Sequence, residues 1–134
     1  MPDFPSIQHI AVTVTDLEAS ATWYERLLGS KPVLDEMMQE PLSIRHIAFA
    51  LPSGQLIGLH GHDATDQSDR FDEERIGLDH IAFGCADRAE LEAWQARLDE
   101  LGIEHGGIVD ATYGSGLSFR DPDNIALEFF APPS

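Results

Sequence analysis

His9-Ile10-Ala11-Val12-Thr13-Val14-Thr15-Asp16 and His80-Ile81-Ala82-Phe83-Gly84-Cys85-Ala86-Asp87 are two copies of one phrase. His, Ile, Ala and Asp recur in register from His9 to His80, a spacing of 71 positions. The same spacing carries Trp23 onto Trp94, Arg26 onto Arg97 and Leu27 onto Leu98. Further on it becomes 70, with Phe49 on Phe119 and Pro52 on Pro122. A period this long, present only twice, is not a solenoid; it marks a duplicated supersecondary module.

Outward from the repeat, each copy reads the same way. Ile7–Thr15 alternates and is rich in β-branched residues, which predicts a strand. Asp16 caps a helix ending at Gly29, with Leu17, Ser20, Tyr24, Leu27 and Leu28 at helical spacing. Strands are then expected at Val33–Met37, Ser43–Leu51 and Gln55–His60, the last two joined by a turn at Pro52-Ser53-Gly54. In the second copy, strand Leu78–Ala86 leads to a helix opened by Asp87 and Glu90, a capping-box pattern, and closed by Gly102. Its apolar stripe is Leu91, Trp94, Leu98 and Leu101. Strands follow near 106–111, 116–120 and 125–130, the last two joined by Asp121-Pro122-Asp123-Asn124. The expected fold is α+β: two tandem βαβββ modules, residues 6–60 and 78–131, related by a pseudo-twofold axis. Their curved sheets form a cup, with the helices outside. Residues 61–77 between them are rich in Asp and Glu and read as a solvated acidic linker, or as a lid with Arg70 and Phe71 reaching inward.

Composition narrows the function. The 134 residues suit one domain. Twenty-four acidic against eight basic residues give a net charge of −16, which repels phosphate backbones and anionic lipid, so neither nucleic acid nor membrane is an expected partner. No apolar run is long enough to span a bilayer, and no signal peptide is visible at the start. Cys85 is the only cysteine, excluding an intrachain disulfide and a cysteine-cluster zinc site. A reducing, cytoplasmic setting fits. No phosphate-binding glycine loop, nucleophile elbow or zinc-protease helix is present.

Six histidines remain as the informative feature. Strand alternation puts Ile10, Val12 and Val14 on one face and His9, Ala11 and Thr13 on the other. It likewise separates His80, Ala82 and Gly84 from Ile81, Phe83 and Cys85, and Glu128 from Leu127 and Phe129. His9, His80 and Glu128 therefore lie opposite the helices, among small neighbours. Two imidazoles and a carboxylate are a donor set for iron, manganese, cobalt, nickel or zinc, with positions left open for substrate. Solvent-facing polar residues on strand surfaces are the plainer reading of the same pattern.

The paired βαβββ modules, His9 and His80 at their openings, and Glu128 after Asp121-Pro122-Asp123-Asn124 resemble the vicinal oxygen chelate superfamily over about Ile7 to Phe130. That group includes glyoxalase I, bleomycin- and fosfomycin-resistance proteins, methylmalonyl-CoA epimerase and extradiol dioxygenases. The resemblance implies one divalent metal ion (Fe, Mn, Zn, Ni or Co) held by His9, His80 and Glu128. It also implies a homodimer acting on a small molecule. The chemistry implied is that of a metal-dependent lyase or isomerase, transferase or dioxygenase, in which vicinal oxygens of the substrate are chelated and an enolate or oxyanion is stabilised. The alternative is a metal-free binding protein that sequesters a drug or metabolite, to which a −16 charge would draw a cationic ligand.

Two departures from the family pattern matter. Gly58 stands at the repeat position of Glu128, where glyoxalase I and the epimerase carry another ligand; His60, on the same face, is the candidate substitute. Phe119 stands near the tyrosine expected of ring-cleaving members, so ring cleavage is not implied. His46, His60, Tyr113 and Arg120 are candidates for binding substrate. Arg45 is an alternative anion partner. Trp23, Trp94 and Cys85 read as packing residues.

Overall fold

A computed structural model describes residues 1–41 and 44–134. The first module runs β1 (His9–Thr13), α1 (Leu17–Leu28), β2 (Leu34–Met37), β3 (Arg45–Ala50) and β4 (Leu56–Gly61). The second runs β5 (Ile81–Gly84), α2 (Arg88–Leu101), β6 (His105–Ala111), β7 (Gly114–Arg120) and β8 (Ala126–Ala131). The βαβββ order occurs twice, as the repeat predicts. The strand expected to open at Ser43 begins at Arg45; Ser43 itself lies outside the described residues. The chain divides into two compact units, Met1–Asp69 and Arg70–Ser134. Among the described residues, no helix is long and apolar enough to cross a membrane.

Each unit holds one four-stranded mixed sheet, ordered β1-β4-β3-β2 and β5-β8-β7-β6. In each, the first and last strands of the module run parallel and the other pairs antiparallel. The register explains the two spacings in the sequence. Ala11 pairs with Gly58 as Ala82 pairs with Glu128, and Ala48 pairs with Gly58 as Ser118 pairs with Glu128. Gly58 is thus the structural counterpart of Glu128.

The helices start and stop where local chemistry dictates. Asp16 Oδ1 accepts from the Ala19 amide at 3.0 Å, and Asp87 Oδ1 from the Glu90 amide at 2.9 Å, satisfying donors that the first turn leaves unpaired. Glu90 reaches back to the Ala86 amide, one residue ahead of the cap. Both helices end on glycines in the left-handed region, Gly29 at φ 67° and Gly102 at φ 71°. Tyr24 and Leu27 bury one side of α1 beside Val12, Val14, Ile47, Phe49, Ile57 and Leu59 in the first module's core. In the second module, Leu91 and Leu98 of α2 join Ile81, Leu117, Phe119, Leu127 and Phe129. Phe129 centres an aromatic stack there: Trp94 lies 4.4 Å away and Phe119 5.2 Å, centroid to centroid, both nearly parallel to it.

The acidic segment is not uniformly solvated. Its second half belongs to the second unit and is tied to the β7–β8 turn. That turn is held by buried Asp121, whose Oδ1 accepts from the Asp123 and Ile125 amides at 2.9 and 2.8 Å. The Phe71 amide donates to the Asp123 carbonyl at 2.9 Å, and Asn124 Nδ2 donates to the Phe71 carbonyl at 3.0 Å. Arg120 grips both oxygens of Glu73, at 2.9 and 2.7 Å, and donates to the Asn124 carbonyl at 3.1 Å. An acidic composition read from sequence alone hides this, because the contacts use backbone groups and an arginine 47 positions away.

Two outcomes are expected. Phe129→Ala empties the centre of the second core and should cost about 3–5 kcal/mol in urea unfolding. The Arg120 hydrogen bonds and charge hold the Glu73 carboxyl down to about 2, from an ordinary value of 4.5. The tie is therefore complete above pH 4.5 and weakens as pH falls toward 2. Carboxyl-carbon NMR should show Glu73 titrating near the lower value, and returning to the ordinary one in Arg120→Met.

Candidate functional site

One helix covers one face of each sheet, so the opposite face is left open to other uses. In the first module Val12 and Val14 are buried, whereas His9, Ala11 and Thr13 are exposed, which is the alternation that the sequence predicts. On the same face, β4 carries Gly58 and His60 and β3 carries Ala48 and His46. His46 and His60 are directly opposite in the register, with ring centroids 5.6 Å apart. His62 follows at 6.0 Å from His60, and His46 Nε2 lies 3.8 Å from Glu36 Oε1. Partial burial pushes the His60 imidazole below its usual value, and the charges of His46, His62 and His9 push it the same way. His60 is therefore neutral at pH 7, with a lone pair available. A Cβ at Gly58 would sit 3.4 Å from the Ala11 Cβ and 3.8 Å from His60 Nε2, so the glycine leaves a gap beside the imidazole.

In the second module the open face carries Ala82 and Gly84 on β5, Glu128 and Phe130 on β8, and Gly116, Ser118 and Arg120 on β7. Glu128 pairs across to Ala82 on one side and Ser118 on the other. The strand expected over Leu78–Ala86 spans only Ile81–Gly84, so His80 stands one residue ahead of β5, whose Ala82 pairs with Glu128. Gly116 makes room for the carboxylate: a Cβ there would stand 3.5 and 3.6 Å from its two oxygens. Glu128 is half-buried and, among the described residues of its module, its side chain forms no hydrogen bond or ion pair.

Both histidines have an oriented ring. His80 Nδ1 lies 2.6 Å from Asp79 Oδ1, and His9 Nδ1 is hydrogen-bonded to Gln8 Oε1. An Nδ1–H donated to oxygen leaves Nε2 as the lone-pair nitrogen, the form in which imidazole binds a metal. Reasoning from sequence passes over these two partners, although the 71-position spacing already aligns Gln8 with Asp79.

The remaining candidates are placed as follows. Tyr113 stands exposed in the β6–β7 turn and stacks on Phe130, centroids 6.1 Å apart, at the Glu128 face. Gly114 permits this, since a Cβ there would lie 2.3 Å from the Phe130 ring. Arg120 is on the Glu128 face but committed to Glu73, and Arg45 is committed to Asp35 and Glu18. Burial, with Glu90 and Asp87 nearby, pushes the Cys85 thiol up to about 11, so it is protonated and a poor nucleophile at neutral pH.

The donor types, two imidazoles and one carboxylate, are those that a borderline divalent ion takes. Among the described residues, no three of His, Cys, Asp or Glu are brought together as a metal-holding group.

Comparison with known proteins agrees with this architecture. The family model described as Glyoxalase/Bleomycin resistance protein/Dioxygenase superfamily matches residues 6–129. YwkD of Bacillus subtilis (strain 168), itself uncharacterized, is 33% identical over 130 residues, covering 93% of this chain and 95% of that one. MhqA of the same organism, described as a candidate ring-cleaving dioxygenase, is 28% identical over 132 residues; they span 93% of this chain and 39% of MhqA's length. Among solved structures, a glyoxylase/bleomycin resistance protein/dioxygenase domain from Frankia sp. EAN1pec superposes with a TM-score of 0.86 at 32% identity, covering 98% and 95% of the two chains. A variant of the fosfomycin resistance protein FosX from Listeria monocytogenes shares the fold, with a TM-score of 0.71 at 19% identity over 98% and 95%. It was crystallised with manganese(II) and dihydroxypropylphosphonic acid. With its repeated βαβββ modules and a family match spanning nearly its whole length, this chain belongs to the glyoxalase/bleomycin resistance protein/dioxygenase superfamily.

Proposed function

We propose that this protein is a small metal-dependent enzyme in which His9, His80 and Glu128 together hold one divalent ion that takes two neighbouring oxygens of a small-molecule substrate. The observation that carries the reading is the Glu128 carboxylate, uncommitted within its module and paired through its backbone to Ala82 of β5, the strand that His80 precedes, with His9 at the same repeat position of the other module. His9 lies in one module, and His80 and Glu128 lie in the other. They come from one chain, or from two chains if modules exchange in a homodimer. When bound, the ion would act as a Lewis acid, favouring an enolate or oxyanion on the substrate.

The chain's own residues set limits on that chemistry. Ala11, Ala48, Gly58, Ala82 and Gly84 leave space above both sheets for a ligand. His46, His60 and Tyr113 line the open faces and are the candidates for contacting it. Neutral His60 can accept a proton from a substrate at pH 7, or serve as a further donor to the ion. Gly58 supplies no carboxylate where Glu128 has its counterpart, so glyoxalase I turnover of a glutathione hemithioacetal should be slight. Manganese(II) in the FosX crystals supports the choice of a divalent ion, and the partial match to MhqA keeps oxygen chemistry among the reactions to assay.

Elemental analysis of protein purified without chelator should find about one divalent ion per site. His9→Ala and Glu128→Ala should each abolish binding, while His62→Ala should retain it. Equal metal content in all three variants, or none in the parent after reconstitution, would leave sequestration of a metabolite as the better account.

A further inference from the structure

The open face of the second module carries an aromatic pair that its neighbours leave uncovered. Phe130 of β8 has a glycine on each neighbouring strand, Gly84 of β5 and Gly116 of β7, so its ring meets no side chain directly across the sheet. A Cβ added at Gly84 would find no atom of the described residues within 4 Å, so that flank is open space. The ring instead lies against the backbone of Gly114, where a Cβ would stand 2.3 Å from it, and meets Tyr113. The two rings are nearly parallel, at 10°, but their centroids are 6.1 Å apart. Full overlap would bring them to about 3.5–4 Å, so much ring surface stays free. Tyr113 is 73% exposed, and Val109, paired with Gly116, is 66% exposed.

Tyr113 is nevertheless held in place. The β6–β7 hairpin that presents it is braced from the helix side. Asp110 accepts from Ser115 Oγ at 2.6 Å and from Arg88, the first residue of α2, at 3.0 and 3.1 Å. A buried aromatic side chain supports a fold by removing about 150–250 Å² from water, and Tyr113 removes little. A fixed, offset and uncovered ring pair suits a flat apolar ring, which stacks on it without the cost of ordering a loose loop. Glu128 lies two residues back along β8, about 7 Å at the backbone, and its carboxylate has no partner in its module. That carboxylate, on a chain of net charge −16, disfavours an anionic ring.

We propose that Tyr113 and Phe130 form a ring-binding subsite that selects ligands carrying a flat, uncharged aromatic ring, with Tyr113 as its specificity-determining residue. As a substrate subsite it rests on the enzymatic reading above; as a binding surface it stands on the second module alone.

The test uses the full-length chain, with circular dichroism confirming that each variant is folded. The probes are 2-naphthol and its saturated counterpart decahydro-2-naphthol, both neutral at pH 7. Equilibrium dialysis should show 2-naphthol bound about 5–10-fold more tightly than the saturated ring. In NMR spectra 2-naphthol should shift the ring protons of Tyr113 and Phe130 and leave those of buried Tyr24 in place. Tyr113→Ala and Phe130→Leu should each weaken 2-naphthol by about 5–10-fold and bring the two probes level, while Tyr113→Phe should keep the preference. Metal content should be the same in Tyr113→Ala as in the parent. A parent that binds neither probe or both equally, or a 2-naphthol affinity unchanged in Tyr113→Ala, overturns the subsite whether or not metal is found. A parent without metal that keeps the ring preference removes the enzymatic reading and leaves the subsite standing as a binding surface.

Discussion

A β-strand has two faces, and in each module only one of them is covered by a helix. Burying Val12, Val14, Phe49 and Leu59 in the first module, and Ile81, Leu127 and Phe129 in the second, fixes which residues turn the other way. A slip of one residue would bury His9 or Glu128 and expose the core, so register is among the most strongly enforced features of the fold. The candidate site thus needs no folding signal of its own. It inherits its orientation from the hydrophobic effect acting on alternate residues, and the small side chains Ala11, Ala82, Gly84 and Gly116 keep the open faces clear.

Duplication followed by divergence accounts for the site's composition. The pairings Ala11–Gly58 and Ala82–Glu128 are one pairing in two copies, yet one copy carries a carboxylate and the other no side chain. Beside the gap at Gly58, the first module has gathered His46, His60 and His62, and partial burial keeps His60 neutral. A net charge of −16 adds a long-range field that draws divalent cations toward the surface and repels anions, which suits a cation-dependent site better than a nucleic-acid surface.

Much of this was legible before any coordinates. The caps at Asp16 and Asp87, the stops at Gly29 and Gly102 and the alternation around His9, His80 and Glu128 are local signals, and local signals survive in sequence. What was not legible depends on distant parts of the chain. The tie from Glu73 to Arg120 spans 47 positions, and Phe71 is anchored through backbone groups that any residue possesses. The acidic segment therefore read as a uniform linker or lid, although the boundary between the units falls inside it. Gln8 and Asp79 are a different case. They were aligned by the repeat, but an amide and a carboxylate share no obvious pattern until both are found on Nδ1.

The proposed ligands of the divalent ion are His9, His80 and Glu128. Anomalous diffraction at the zinc edge, from crystals of the protein soaked in zinc, tests this assignment most directly. The account predicts one strong peak per site with His9 Nε2, His80 Nε2 and a Glu128 oxygen at about 2.0–2.2 Å, whether from one chain or from two. A principal peak on His46, His60 and His62, or one lacking Glu128, would contradict it.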